Sequence, residues 1–166
     1  MKKRLTLLLA LLTLSCIKPN TEKTSFSQEA LSETLLNPQG EQVAFQDILK
    51  QHQGKTVLIE VWASWCGDCV KAMPKIKALQ ESNPEVEYVF ISMDKTAQAW
   101  EIGLEKYALK GAHFMANDQM QGVFADAIDL DWIPRYIIVD KTGKIVLYHA
   151  VETDFDTIKT TLTSLK

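Results

Sequence analysis

Apolar positions along the chain change their period several times, and each change marks an element. Residues 57–63, Val-Leu-Ile-Glu-Val-Trp-Ala, are an almost unbroken apolar run, as a central strand covered on both faces requires. From Gly67 to about Ser82 the period lengthens. Val70, Met73, Ile76 and Leu79 share one side while Lys71, Lys75 and Lys77 turn to water, which predicts a helix. Pro74 inside it should kink it, and Asn83-Pro84 should end it. Residues 86–93 read as a second strand. Ala97, Trp100, Leu104 and Ala108 then mark a helix that Gly111 stops. The short apolar run 112–115 takes no assignment, and Asn117 reads as the N-cap of a helix carrying Met120, Val123, Phe124, Ala127 and Ile128. Residues 136–139 and 144–149 are strands, joined through Asp140-Lys141-Thr142-Gly143 as a hairpin. Phe155, Ile158, Leu162 and Leu165 place a final helix over 154–165.

Upstream the pattern is weaker. The turn signal Asn37-Pro38-Gln39-Gly40 lies between two weakly apolar stretches, which predicts a small N-terminal hairpin. Phe45, Ile48 and Leu49 mark a short helix that ends by Gly54. The central order is β-α-β, a helical segment, then β-β-α. That order predicts an α/β fold: a mixed sheet between helical layers, with a helical insertion before the closing hairpin.

At 166 residues the chain suits one domain behind a short leader. Its formal net charge of -3, with no basic patch, gives nucleic-acid binding no support. Lys2, Lys3 and Arg4 precede a leucine-rich run at 5–14. Ten residues cannot span a bilayer, which needs ~20, so the pattern is an export signal. It stops at Thr13-Leu14-Ser15-Cys16 and resembles a bacterial lipoprotein signal, in which the cysteine after the cleavage point is lipidated. An ordinary cleaved signal with an incidental cysteine is the alternative. The expected division is a signal peptide at 1–15, a flexible tether at 16–27 and one domain at 28–166. Removing Lys2, Lys3 and Arg4 leaves 15 positive residues against 21 acidic ones, a mature charge of -6. Lipid chains would hold such a protein at a membrane surface without spanning it.

The remaining cysteines, Cys66 and Cys69, sit two residues apart where the apolar strand meets the helix. That is the layout of a dithiol–disulfide redox site. The spacing is also half of a zinc site, but no further cysteine except Cys16 is present, and His52, His113 and His149 have no paired spacing. No metal is expected, and no cofactor beyond the Cys66–Cys69 pair. Cys66 at a helix N-terminus has free backbone N–H groups and the positive end of the helix dipole beside it, so it is the expected nucleophile. Cys69, one turn in, would resolve the mixed disulfide. Glu60 is the only charge in its strand. If buried there, it should have a raised pKa; the alternative places it at an exposed strand end.

Four features resemble the thioredoxin superfamily: Trp62-Ala63-Ser64-Trp65-Cys66-Gly67-Asp68-Cys69 after the first central strand, Pro74 in the following helix, Ile133-Pro134 before a strand, and Asp140-Lys141-Thr142-Gly143-Lys144 in the last hairpin. Within the superfamily the chain looks most like the membrane-anchored TlpA/ResA-like branch. The resemblance implies a thioredoxin-like three-layer fold. It implies a cis Pro134 facing the dithiol, with the Ile133 backbone free to pair with an extended substrate. It also sets Glu60 where thioredoxins carry a buried aspartate beneath the dithiol, and Glu60 is expected there to take a proton from Cys69, directly or through water, as the mixed disulfide is resolved. Trp65, Gly67 and Asp68 join Ile133 as expected substrate contacts. Glycine admits close backbone approach. Asp68 replaces the proline usual in thioredoxins, and its carboxylate would oppose the Cys66 thiolate and make the couple more reducing. The alternative is that Asp68 is only a favourable first-turn residue. Trp132 and Arg135 lie nearby, but aromatic residues pack as often as they bind, so only Trp65 is assigned to docking.

The expected activity is thiol–disulfide exchange on disulfide-containing exported proteins, more in the sense of a reductase. A membrane electron donor would supply it, a lipid anchor would hold it to a bacterial membrane facing the periplasm, and it would act as a monomer. Two other classes stand beside this one. A thiol peroxidase would place a threonine just before a single reactive cysteine and an arginine near it, which the residues around Cys66 do not offer. A non-catalytic binding lipoprotein would have no need of both cysteines.

Overall fold

A computed structural model describes residues 23–166. The expected leader, the expected lipidation site Cys16 and most of the expected tether lie outside the described residues. The chain opens with α1 (Gln28–Ser32), capped by the Ser27 hydroxyl, which accepts from the Ala30 N–H. A hairpin of β1 (Thr34–Leu36) and β2 (Gln42–Ala44) follows, then α2 (Phe45–Gln51). Residues 24–27, read from the sequence as tether, touch the domain at Thr24 and Phe26, although Thr24, Ser25 and Ser27 are exposed. The Ile145 N–H donates to the Thr24 carbonyl at 2.9 Å, and the Phe26 ring meets Phe45 edge-on at 4.8 Å. A polar segment with one phenylalanine shows no periodicity, so only the partner surface reveals the contact.

β3 (Val57–Trp62) is buried at every position. α3 (Gly67–Ser82) leads from it to β4 (Glu87–Ser92), which runs parallel to β3 from Val57 opposite Glu87 to Trp62 opposite Ser92. α4 (Ala97–Tyr107) then crosses to β5 (Ala112–Ala116), parallel to β4 and antiparallel to β1. This corrects the sequence reading of 112–115. A run of four apolar residues is too short for its period to separate strand from loop; pairing on both edges makes it a strand. The predicted helical insertion is therefore helix, strand, a 3-10 turn at Gln119–Gln121 and α5 (Val123–Ala127). Asn117 is not a helix cap. Its side-chain amide donates to the Thr34 carbonyl at 2.8 Å and to Gln42, tying the hairpin to β5. Gly111 does not itself end α4, whose C-cap is Ala108 in the left-handed conformation. Gly111 has φ +144, and a side chain there would strike the Tyr88 carbonyl.

β6 (Arg135–Val139) pairs antiparallel with β3 on its other edge, β7 (Ile145–Ala150) pairs with β6, and α6 (Phe155–Ser164) closes the chain. The sheet order is β2-β1-β5-β4-β3-β6-β7, which is the expected mixed sheet with the hairpin added through β5. α3, α4 and α6 share one layer. The Lys75 ammonium of α3 stands 4.9 Å over the Phe155 ring of α6, and Gly103 of α4 lies against the Trp62 ring. α2 and α5 meet in the other layer, where the Phe45 and Phe124 rings cross edge-on at 5.1 Å. Among the described residues no helix is long and apolar enough to cross a membrane.

Candidate functional site: a buried disulfide at a strand–helix junction

β3 delivers the chain to the site, and a tight turn carries it into α3. The Cys66 N–H donates back to the Ala63 carbonyl at 3.1 Å. Asp94, buried just beyond β4, holds the turn from the side. It accepts from the Ser64 N–H at 3.1 Å, from the Ser64 hydroxyl at 2.7 Å and from the Ser92 hydroxyl at 2.7 Å. A carboxylate is tolerated in such a place because its oxygens are occupied. The sequence reading had not singled out Asp94; its signal was a lone acid at the carboxyl end of a strand whose neighbours are apolar.

Cys66 is the N-cap of α3, and its sulfur accepts from the Cys69 N–H at 3.1 Å. The two sulfurs form a disulfide, with the Cα atoms 5.3 Å apart. Cys69 is fully buried and Cys66 is 6% exposed, so a partner reaches Cys66 first. Once the bond is reduced, the helix N-terminus and the Cys69 N–H both favour a Cys66 thiolate. Asp68 stands in the first turn with the Lys71 ammonium 3.0 Å away. That cation offsets part of the opposition expected between Asp68 and a Cys66 thiolate. A side chain at Gly67 would meet nothing within 4 Å, so the backbone there faces open space.

Across from the disulfide, the Ile133–Pro134 peptide bond is cis, and the Ile133 carbonyl oxygen lies 3.6 Å from the Cys66 sulfur. A groove of about 380 Å³ opens over this contact. Trp65 and Trp132 flank it, 57% and 54% exposed, and Met120 contributes to its wall. Trp132 and Met120 were not among the expected contacts. Trp132 could have been found from its place beside the Ile133-Pro134 pair, whereas Met120 comes from a distant turn. Arg135 is not a groove residue: it is turned inward and 2% exposed.

Glu60 lies beneath the site, wholly buried in the middle of β3; the exposed-end alternative does not hold. It shares a strand face with Trp62 and sits opposite Tyr136, whose ring packs on Phe155. It therefore faces the layer that carries α3. Burial pushes its pKa up to about 8, with a hydrogen bond from Tyr136 pulling the other way. The Tyr136 hydroxyl donates to Oε1 at 3.3 Å, and Oε2 has no partner among the described residues. Tyr136 is itself driven far above its ordinary value, by burial first and by Glu60 second. Its role was not legible in the sequence, since a tyrosine in a strand reads as packing. No three His, Cys, Asp or Glu side chains converge as a metal site among the described residues. His113, for one, is engaged through Nε2 with the Leu109 carbonyl at 3.0 Å.

Comparison with known proteins agrees with this geometry. The Redoxin family model matches residues 24–163. The thiol-disulfide oxidoreductase ResA of Bacillus anthracis is 28% identical over 127 residues, covering 75% of this chain and 69% of the relative. The solution structure of a candidate thiol-disulfide oxidoreductase from Bacteroides vulgatus is 32% identical, with TM-score 0.65 over 82% of this chain and 90% of that one. A candidate thiol:disulfide interchange protein DsbE from Chlorobium tepidum has TM-score 0.70 over 87% of this chain and 97% of its own, at 19% identity, a likeness of fold alone.

Proposed function

The chain belongs to the Redoxin family, within the thioredoxin superfamily, and from that premise we propose that it is a thiol–disulfide oxidoreductase that reduces disulfides in exported proteins. The observation that carries the reading is the Cys66–Cys69 disulfide at the start of α3, with Cys66 under an open groove and 3.6 Å from the Ile133 carbonyl. The cycle starts from the reduced pair. The Cys66 thiolate attacks one sulfur of the substrate disulfide; a Cys66–substrate bond forms, the substrate disulfide breaks, and the expelled thiolate takes a proton. Cys69 loses its proton to an ionised Glu60 and attacks the Cys66 sulfur, which expels the substrate's second thiolate; that thiolate is protonated from water as Glu60 returns its proton to solvent. Two electrons and two protons have then passed to the substrate, and the protein holds the disulfide seen here. With a pKa of about 8, the Glu60 carboxylate that takes the proton is the minority form at neutral pH and gains share as pH rises toward 8.

An exported reductase works in an oxidising compartment and must be re-reduced. We assign that step to a membrane dithiol donor, which takes the place of any further cofactor. Lipidation of Cys16 would hold the domain, acting as a monomer, on a bacterial membrane facing the periplasm, through a tether that ends before Thr24. The decisive experiment measures the potential of the Cys66–Cys69 couple and the reduction of insulin by the full chain in detergent. A potential near about -270 mV with insulin turnover is expected; one near about -120 mV would reverse the direction. Cys69→Ser should accumulate a mixed disulfide and Cys66→Ser should not; absence of both turnover and trapping would end the proposal.

A further inference from the structure

Arg135 is the one arginine in the buried interior of the described residues, and it directly follows cis Pro134. Its guanidinium ties back across the loop that precedes it. One nitrogen pairs with the Asp131 carboxylate, and another donates to the Asp129 carbonyl at 3.4 Å. Nε is buried without a partner among the described residues, whereas the Asp131 side chain is 79% exposed. The loop so closed is 129–134. Asp129 starts it with φ +50, and its carboxylate is held by the Tyr148 hydroxyl at 3.2 Å and by Lys23. The loop ends at Trp132 and Ile133, two walls of the groove, with the Ile133 carbonyl against Cys66.

A buried cation is costly unless paired. Burying this one makes physical sense if the planar fork spans two points of the loop at once, which a lysine cannot do. The disulfide chemistry has no use for the side chain, since it touches neither sulfur. Resting on the oxidoreductase reading above, we propose that Arg135 is a positioning residue for substrate docking: it pins 129–134 so that Trp132 and the Ile133 backbone are already set when an extended disulfide-bearing segment arrives. The contribution belongs to binding of a protein segment and not to sulfur exchange. A small disulfide, which needs Cys66 but not the groove walls, is indifferent to it.

The test compares full-length wild type, Arg135→Met and Arg135→Lys with insulin and with hydroxyethyl disulfide. Methionine keeps an unbranched apolar stem and leaves the exposed Asp131 solvated, so the fold survives the change. KM for insulin should rise about tenfold in Arg135→Met, equivalent to ordering one loop residue on binding. Turnover of hydroxyethyl disulfide and the reduction potential should stay within about twofold of wild type. Arg135→Lys should recover only part of the insulin KM. An unchanged insulin KM, or an equal loss with both disulfides, would overturn the proposal. Hydrogen exchange of residues 129–133 gives a readout independent of activity. Faster exchange in Arg135→Met than in wild type is expected even if wild type reduces neither disulfide, and equal exchange refutes the pinning.

Discussion

Replacing Glu60 with glutamine should make the protein more stable at neutral and alkaline pH while impairing its resolving step. Glu60 is wholly buried, and its pKa stands at about 8 against an ordinary 4.5. The folded state therefore binds this proton more tightly than the unfolded chain does. The stabilising contribution of the neutral carboxyl is complete below about pH 4.5, declines as pH rises, and is exhausted above about 8. Each pH unit in that window removes about 1.4 kcal/mol, so roughly 5 kcal/mol is lost across it and ~3 kcal/mol of that by pH 7. Glutamine is neutral at every pH, nearly isosteric, and still presents an oxygen to the Tyr136 hydroxyl. Urea unfolding of both oxidised proteins at about pH 5, 7 and 9 gives the comparison. The stability advantage of Glu60→Gln over wild type should widen by roughly 3 kcal/mol between the first two conditions. In stopped-flow reduction of a peptide disulfide, the same variant should form the mixed disulfide at the wild-type rate and resolve it more slowly. Parallel pH–stability curves would refute the buried-proton argument, and an unchanged resolution rate would refute the relay.

Tyr136→Phe removes the hydrogen bond that lowers the Glu60 pKa. The Glu60 titration, followed by carbon NMR of its carboxyl, should move further above 8, and a downward shift would contradict the assignment of Tyr136 as donor. Asp94→Asn replaces an acceptor of the Ser64 N–H, the Ser64 hydroxyl and the Ser92 hydroxyl with a group that has one accepting oxygen. A loss of about 1–3 kcal/mol in urea unfolding is expected; no loss would mean that the turn before Cys66 is held by other contacts.

Much of this protein is readable from residue order alone, because some of its signals are local. The 57–63 apolar run and the 3.6-residue period after Gly67 yielded β3 and α3 nearly to the residue. Two cysteines at that junction stated the reaction class; what faces them came from the resemblance of Ile133-Pro134 to the thioredoxin pattern and not from its neighbours. The strand, the helix and the cysteine pair each depend on neighbours a few positions away. Where neighbours along the chain were uninformative, the reading stopped. Residues 112–115 needed β4 and β1 on either side to become a strand, and the segment at 24–27 needed the faces of Phe45 and Ile145.

The site divides in the same way. Sequence by itself determined the dithiol, the helix dipole that favours Cys66 and the unusual acid at position 60. Tertiary structure alone decided that Glu60 is wholly buried with Tyr136 as its partner, that Asp94 grips Ser64 from thirty residues away, that Arg135 turns inward, and that Trp132 and Met120 complete the groove. The physical reason is common to all four. Burial and pairing are properties of surfaces brought together, and those surfaces come from strands and loops far apart in the chain, where no periodicity links one residue to the other.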